Sequence, residues 1–271
     1  RLYRFSPVLP EPSRRTGHEY VIASIAHQME LAGLLRIDHV MAWTRLYWIP
    51  HGFGLHDGTY VSYPAEELFA ILTLESVRHR CEVVGENLGT VPPEIDAALP
   101  RHRIWGMYLA QFQAVEHGEL VPPADRDMAL IGTHDSPTFA GWRAGADIDE
   151  RVRHGLLAPA EAPGVAEARS DAVQAFAELL GGSVDHPGDL LKKVLDWLGR
   201  SESPLVVPWL EDLWLEVAGR NLPGTRSSER LNWQEPMARL LDDVLADPQV
   251  DALLRHLQAA RTARGDRQPP A

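Results

Sequence analysis

The chain has 271 residues, one cysteine, and 26 Lys+Arg against 38 Asp+Glu, a formal net charge of −12 with histidines neutral. That acidity, with no basic tract, argues against nucleic acid and anionic membrane surfaces as partners and leaves neutral or cationic ligands. A hydrophobic content of 45% excludes disorder and collagen and can build one large domain or two small ones. Cys81 alone makes no intrachain disulfide, and no apolar run reaches the roughly 20 residues of a membrane span. Arg1-Leu2-Tyr3-Arg4 lacks a signal peptide's apolar core, so the cytosol is the expected address. Eight tryptophans suit stacking on flat sugar faces, although composition alone favours core packing.

Residues 1–15, with four prolines, read as an extended lead-in loop. Thr16-Gly17-His18-Glu19 has capping-box spacing ahead of a helix with Ile22, Ile25, Ala26 and Met29 on one face, and Gly33 stops it. Leu34 to Val40 then reads as a buried parallel strand. A helix from Pro64 to Arg80 leads to a strand at Cys81 to Glu86, and Thr90 with Pro92, Pro93 and Glu94 opens a short helix. Ile104 to Phe112 and Met128 to Thr133 are further strand candidates. Residues 144–187, rich in Ala, Gly and Glu with weak helical stretches, suggest a variable insertion carrying little chemistry. A helix with Leu190, Leu191, Val194 and Trp197 precedes a last strand at Pro204 to Leu210, whose second half Pro208 keeps from a central position. Residues 16–245 thus read as one α/β unit, and 246–271 as a terminal helix fraying into a disordered tail from Arg264.

In an open doubly wound sheet or a closed barrel, sites form at the carboxyl ends of strands. Three strand candidates end in carboxylates, Asp38, Glu86 and Asp135, and Glu211-Asp212 makes a fourth acidic end. Any one of these alone reads more simply as a cap or surface charge. Three in succession, with no metal-ligand pattern of histidines, are what acid/base glycoside chemistry needs: one carboxylate ionised as nucleophile, another protonated as acid. Arg36, two residues before Asp38, points to the same strand face and would hold it ionised and aimed. The apolar strand before Glu86 should desolvate its carboxyl and raise its pKa, and Gly85 and Gly89 would admit backbone or sugar closely. His51, His56 and Asp57 lack the spacing or cysteine partners of a metal site and read as loop residues.

These residues lie in an ordered series: Leu35-Arg36-Ile37-Asp38-His39-Val40-Met41, Leu46-Tyr47-Trp48-Ile49-Pro50, Asp57-Gly58-Thr59-Tyr60-Val61, Leu72-Thr73-Leu74-Glu75-Ser76, Val84-Gly85-Glu86-Asn87-Leu88-Gly89-Thr90-Val91-Pro92 and Gly132-Thr133-His134-Asp135-Ser136-Pro137-Thr138. With Asn221-Leu222-Pro223-Gly224-Thr225 and Asn232-Trp233 near the end, the series resembles the 4-alpha-glucanotransferases (amylomaltases) of glycoside hydrolase family 77 from about residue 18 to 240. The resemblance implies a (β/α)8 TIM barrel acting on α-1,4-glucan donors and acceptors by a retaining mechanism, with no cofactor or metal. Asp38 matches the nucleophile, Glu86 the general acid/base and Asp135 the third carboxylate, which binds the distorted sugar. Arg36 and His134 match residues that aim the nucleophile and hold sugar hydroxyls. Trp43, Trp48, Tyr60 and Trp142 are weaker candidates; Tyr60 suits either stacking on glucan or packing of a βα-loop. Two positions depart from the pattern: Asn87 stands where the family usually has Asp, and Ser136 where Leu is common.

By the same resemblance Asp38 ends the fourth barrel strand, so the chain corresponds to a partial barrel of about strands four to eight with C-terminal helices. The expected activity is transfer between maltodextrins, completed by the upstream half of the same barrel. The alternatives are a truncated or glucan-binding remnant without catalysis, whose open sheet edge would associate, and a retaining α-glucan hydrolase.

Overall fold

The computed structural model describes residues 6–112 and 120–265, and the chain divides into two compact units, Leu2–Met107 and Tyr108–Ala271. Both are mixed α/β, and each is held by its own apolar core. Among the described residues no helix is long and apolar enough to cross a membrane.

The first unit opens with a helix, α1 (Pro10–Arg15), where a loop was expected. Pro10 suits the first helical position, and Arg14 and Arg15 complement the carbonyl end. Thr16 therefore ends a helix instead of capping one: its hydroxyl donates back to the Ser13 carbonyl at 3.0 Å. The turn into α2 (Glu19–Met29) is made by His18 in the left-handed conformation (φ 59°). Its buried ring bonds the Ser13 hydroxyl through Nδ1 at 2.9 Å and the Glu67 carboxylate through Nε2 at 3.0 Å.

Strand β1 (Leu34–Ile37) leads into a turn of 3₁₀-helix at Val40–Trp43 and an antiparallel hairpin, β2 (Arg45–Trp48) with β3 (Thr59–Ser62). This hairpin lies where the sequence suggested only loop. After it come α3 (Ala65–His79), β4 (Glu82–Gly85) and α4 (Pro93–Arg101). β1 and β4 pair in parallel, Leu34 with Glu82 through Ile37 with Gly85, and Val84 forms a parallel bridge to Trp105. Met29, Phe69, Leu72, Val83 and Ile95 fill the core around that pair, and Trp43 leans on Phe69 with ring centroids 5.9 Å apart.

Strand β5 (Gly106–Leu109) continues the chain into the second unit, whose sheet has the order β5-β6-β7 with β6 (Asp127–Leu130) parallel to β7 (Leu205–Val207). The expected strand from Ile104 to Phe112 is shorter because the chain turns helical at Ala110. The expected last strand gives way to 3₁₀-helix at Leu210–Trp214, just after Pro208. Around this sheet lie α5 (Phe139–Ala144), α6 (Ala146–Arg153), α7 (Ala162–Leu179), α8 (Pro187–Arg200), α9 (Leu241–Leu245) and α10 (Pro248–Gly265). α10 runs through Arg264, where fraying was expected, and the rest of the expected disordered tail lies outside the described residues.

The stretch read as an insertion over residues 144–187 contributes to this core. Val173, Phe176 and Ala177 of α7 sit at helical i, i+3, i+4 spacing and are buried, with the Phe176 ring edge-on to Trp142 at 5.8 Å. Trp142 is thus a core residue and not a sugar platform. Truncating Phe176, which is fully buried, removes apolar area and leaves a cavity. Phe176→Ala should therefore lower unfolding stability by about 3–5 kcal/mol, measured by urea denaturation. An insertion packed only on the exterior would lose less than about 0.5 kcal/mol.

Candidate active site

At the carboxyl ends of β1 and β4 the parallel ladder continues one step and then slips. Glu86 N–H donates to the Ile37 carbonyl at 2.8 Å, and the Glu86 carbonyl accepts from Val40 N–H at 3.0 Å. An unbroken ladder would take that second bond from residue 39, so β1 carries one extra residue here, a bulge at Asp38-His39. His39 adopts the left-handed conformation (φ 46°), which turns its N–H out of the ladder and onto Glu86 Oε2 at 2.7 Å. Leu88 N–H donates to Glu86 Oε1 at 2.9 Å. Both carboxylate oxygens are thereby fixed by backbone donors. The surroundings differ from the expected apolar enclosure, since Glu86 is partly exposed.

Asp38 projects from the same bulge with its side chain 73% exposed, and Arg36 Nη1 reaches its Oδ1 at 2.8 Å, as the period-two placement predicts. Arg36 is steadied by Nε on Met107 Sδ at 3.3 Å. Asn87, the departure beside Glu86, accepts the Met107 N–H through Oδ1 at 2.8 Å and so joins neighbouring strands without adding charge. Gly85 admits no sugar: a Cβ there would meet Val40 Cγ2 at 3.0 Å and Leu99 Cδ2 at 3.2 Å, atoms of the unit's own core. Gly89, at φ 83° in open space, is a turn glycine. Tyr60 stands exposed on β3, edge-on to Tyr47 at 5.1 Å and with the Arg45 guanidinium 4.7 Å from its ring centre.

In the second unit, residues 131–138 follow β6 and carry His134 and Asp135, each about two-fifths exposed, with His134 Nε2 3.7 Å from Asp135 Oδ2. Ser136, the second departure, latches this loop. Its Oγ accepts from Thr133 N–H at 2.7 Å and donates to the Thr133 carbonyl at 2.8 Å, which a leucine could not do. The loop's far end is tied from elsewhere: Thr138 Oγ1 donates to the Val217 carbonyl at 3.1 Å, and Phe139 N–H donates to Asp212 Oδ1 at 2.7 Å. The Asn221 side-chain amide donates to Asp135 Oδ1. Trp209 and Trp233 flank the His134 ring at 6.3 and 5.7 Å. A cavity of about 730 Å³ opens beside Asp135, with Glu150, Asn221 and Arg230 on its walls.

The sequence profile of the 4-alpha-glucanotransferase family, glycoside hydrolase family 77, matches residues 2–241. The chain is 32% identical to a 4-alpha-glucanotransferase of Haemophilus influenzae over 96% of its length and 39% of the relative's. It is also 32% identical to one of Mycobacterium tuberculosis over 93% of its length and 38% of the relative's. The chain belongs to this family and spans about two-fifths of those relatives. Its fold is that of the crystal structure of an amylomaltase from Corynebacterium glutamicum, at a TM-score of 0.79 and 24% identity over 93% of this chain and 39% of that one. The amylomaltase of Streptococcus agalactiae, solved in complex with acarbose, aligns at 0.71 and 20% over 93% of this chain and 46% of that one.

Asp212 was noted in the sequence only as part of an acidic strand end, yet it is 1% exposed, and burial pushes its carboxyl up to about 7 against the pull of the Phe139 N–H. A folded pKa above the unfolded value of about 3.9 means stability present below about pH 4 and lost as pH rises through about 7. Asp212→Asn keeps the acceptor for Phe139 and removes the buried charge. It should raise the thermal midpoint on the order of 5 °C at pH 8.5 and little at pH 4. Circular dichroism melts at the two pH values check this, and an equal effect at both would place the carboxyl in a hydrated setting.

Proposed function

We propose that this chain carries the catalytic carboxylates of an enzyme that transfers α-1,4-glucan segments between maltodextrins with retention of configuration. The observation that carries the reading is the strand-end pair. Ile37 lies opposite Gly85, so Asp38 and Glu86 follow on neighbouring parallel strands. Such strands run about 4.8 Å apart, which suits the ~5–5.5 Å between the carboxyl groups of a retaining pair. Asp38, aimed by Arg36, attacks the anomeric carbon while Glu86 protonates the departing 4-oxygen. The glycosyl group passes to Asp38 and the shortened glucan leaves. Glu86, now a base, takes the proton from the 4-hydroxyl of an acceptor glucan, whose oxygen displaces Asp38.

In this reading Asp135 and His134 hold hydroxyls of the distorted sugar, Tyr60 offers a stacking face on the hairpin, and carboxylates do the work of catalysis without a cofactor. Strands β1, β4, β5, β6 and β7 stand for strands four to eight of a (β/α)8 barrel. The share of its relatives that the chain spans supports a need for the upstream half of that barrel. No observation favours a glucan-binding remnant over an enzyme.

The full-length protein that includes this segment should convert maltotriose to glucose and longer maltodextrins with no net loss of glycosidic bonds. New reducing ends in number equal to bonds broken would identify a hydrolase instead. Glu86→Gln should lower kcat ~10²–10⁴-fold. Residues 1–271 alone should be slower by several orders of magnitude, because donor-side binding and orientation are missing. Full turnover by the isolated chain would refute the dependence on upstream sequence.

A further inference from the structure

We propose that Arg230 is a positioning residue for Asp135, acting through Asn221; this rests on the reading of Asp135 as the sugar-binding third carboxylate. Asp135 sits on a loop beyond β6, and the amide of Asn221, itself 8% exposed, donates directly to its Oδ1. Asn221 lies in a stretch, residues 215–240, that has neither helix nor strand. An irregular segment of that length is soft unless something ties it down, and a soft donor cannot hold a carboxylate to one orientation.

Trp233 N–H donates to the Arg220 carbonyl at 3.1 Å, and one guanidinium adds three further ties. Arg230, its side chain 12% exposed, spends its planar fork in three directions. Nη2 donates to the Gly219 carbonyl at 2.6 Å, Nη1 to Asn232 Oδ1 at 2.9 Å, and Nε to Glu150 Oε1 at 2.6 Å. Asn232 passes the restraint on: its Oδ1 also accepts the Leu222 N–H at 3.0 Å, and its Nδ2 donates to Thr225 Oγ1 at 2.8 Å. The backbone is therefore gripped at Gly219 and Leu222, on either side of Asn221. Glu150 stands on α6, so the grip is anchored to a helix of the same unit. A largely buried ion pair adds little net stability, because desolvating two charges offsets their attraction. Its worth here is geometric, and it needs arginine: a lysine ammonium retains charge opposite Glu150 but cannot point at three acceptors in one plane.

A double-mutant cycle in the full-length protein tests this, with maltotriose disproportionation as the assay. Asn221→Ala and Arg230→Lys should each lower kcat on the order of 10²-fold, the scale of a small misplacement. KM should stay within about threefold and the thermal midpoint within about 3 °C, as expected when orientation and not binding or folding is lost. Because Arg230 acts through Asn221, the combined variant should be no slower than Asn221→Ala alone. Losses that multiply, or a fall in rate that tracks a fall in thermal midpoint, would overturn the proposal. Hydrogen exchange supplies a readout independent of rate: amides of residues 219–225 should exchange faster in Arg230→Lys while those of α7 do not change, and unaltered exchange in that loop would overturn it equally. Asp135→Asn in the same series separates the two levels of inference. If it keeps the wild-type rate, the assignment of Asp135 fails; if it is inactive while the cycle is multiplicative, only the role of Arg230 fails.

Discussion

The bond from Val40 N–H to the Glu86 carbonyl is one residue out of step with the ladder that precedes it, and the chemistry proposed for the first unit depends on that slip. Had β1 stayed in register, the N–H of residue 39 would have been consumed by the sheet. The slip frees that N–H for the Glu86 carboxylate and ends the strand at the point where Asp38 emerges beside Arg36. A left-handed residue is the conformational cost, and His39 bears it. The core below leaves little slack, since a Cβ at Gly85 would meet Val40 and Leu99 side-chain atoms at 3.0–3.2 Å and push them aside.

This explains which features were legible in the sequence. The strands Leu34–Ile37, Glu82–Gly85 and Asp127–Leu130 showed through apolar runs followed by acids, although the expected ends at Val40 and Thr133 each lay three residues too far, and a strand's period of two placed Arg36 with Asp38. The local signals that misled each had a tertiary competitor. Thr16 had capping-box spacing, but Pro10 started a helix earlier and His18 found Glu67 49 residues away. The hairpin of β2 and β3 hid inside motifs read as loop, because its Tyr47–Tyr60 pairing joins residues separated by a long turn. In α7 a composition rich in Ala and Glu masked the narrow stripe of Val173, Phe176 and Ala177.

The candidate site was half legible for a related reason. Its carboxylates stand at element ends and show in one dimension, whereas their supports are long-range. Asn221 reaches Asp135 across 86 residues, Glu150 meets Arg230 across 80, and Phe139 meets Asp212 across 73. No spacing rule covers such distances. The one trace they left was motif membership: Asn221 and Asn232 lie in the closing signature, while Arg230 and Asp212 carried no signal beyond their charge.

The supports also differ in kind, and the difference bears on the proposed chemistry. Asp38 is held by a cation, Glu86 by two backbone N–H groups, and Asp135 by a neutral amide with His134 nearby. Three cationic partners would have oriented the acids equally well but cancelled their charge. A glycosyl transition state resembles an oxocarbenium ion and develops positive charge at the sugar. Groups that point carboxylates without neutralising them keep negative potential available where that charge appears, already oriented before the bond begins to break. In the proposed reaction, the acidity that first served to exclude polyanionic partners has a specific use at these three positions on a neutral substrate.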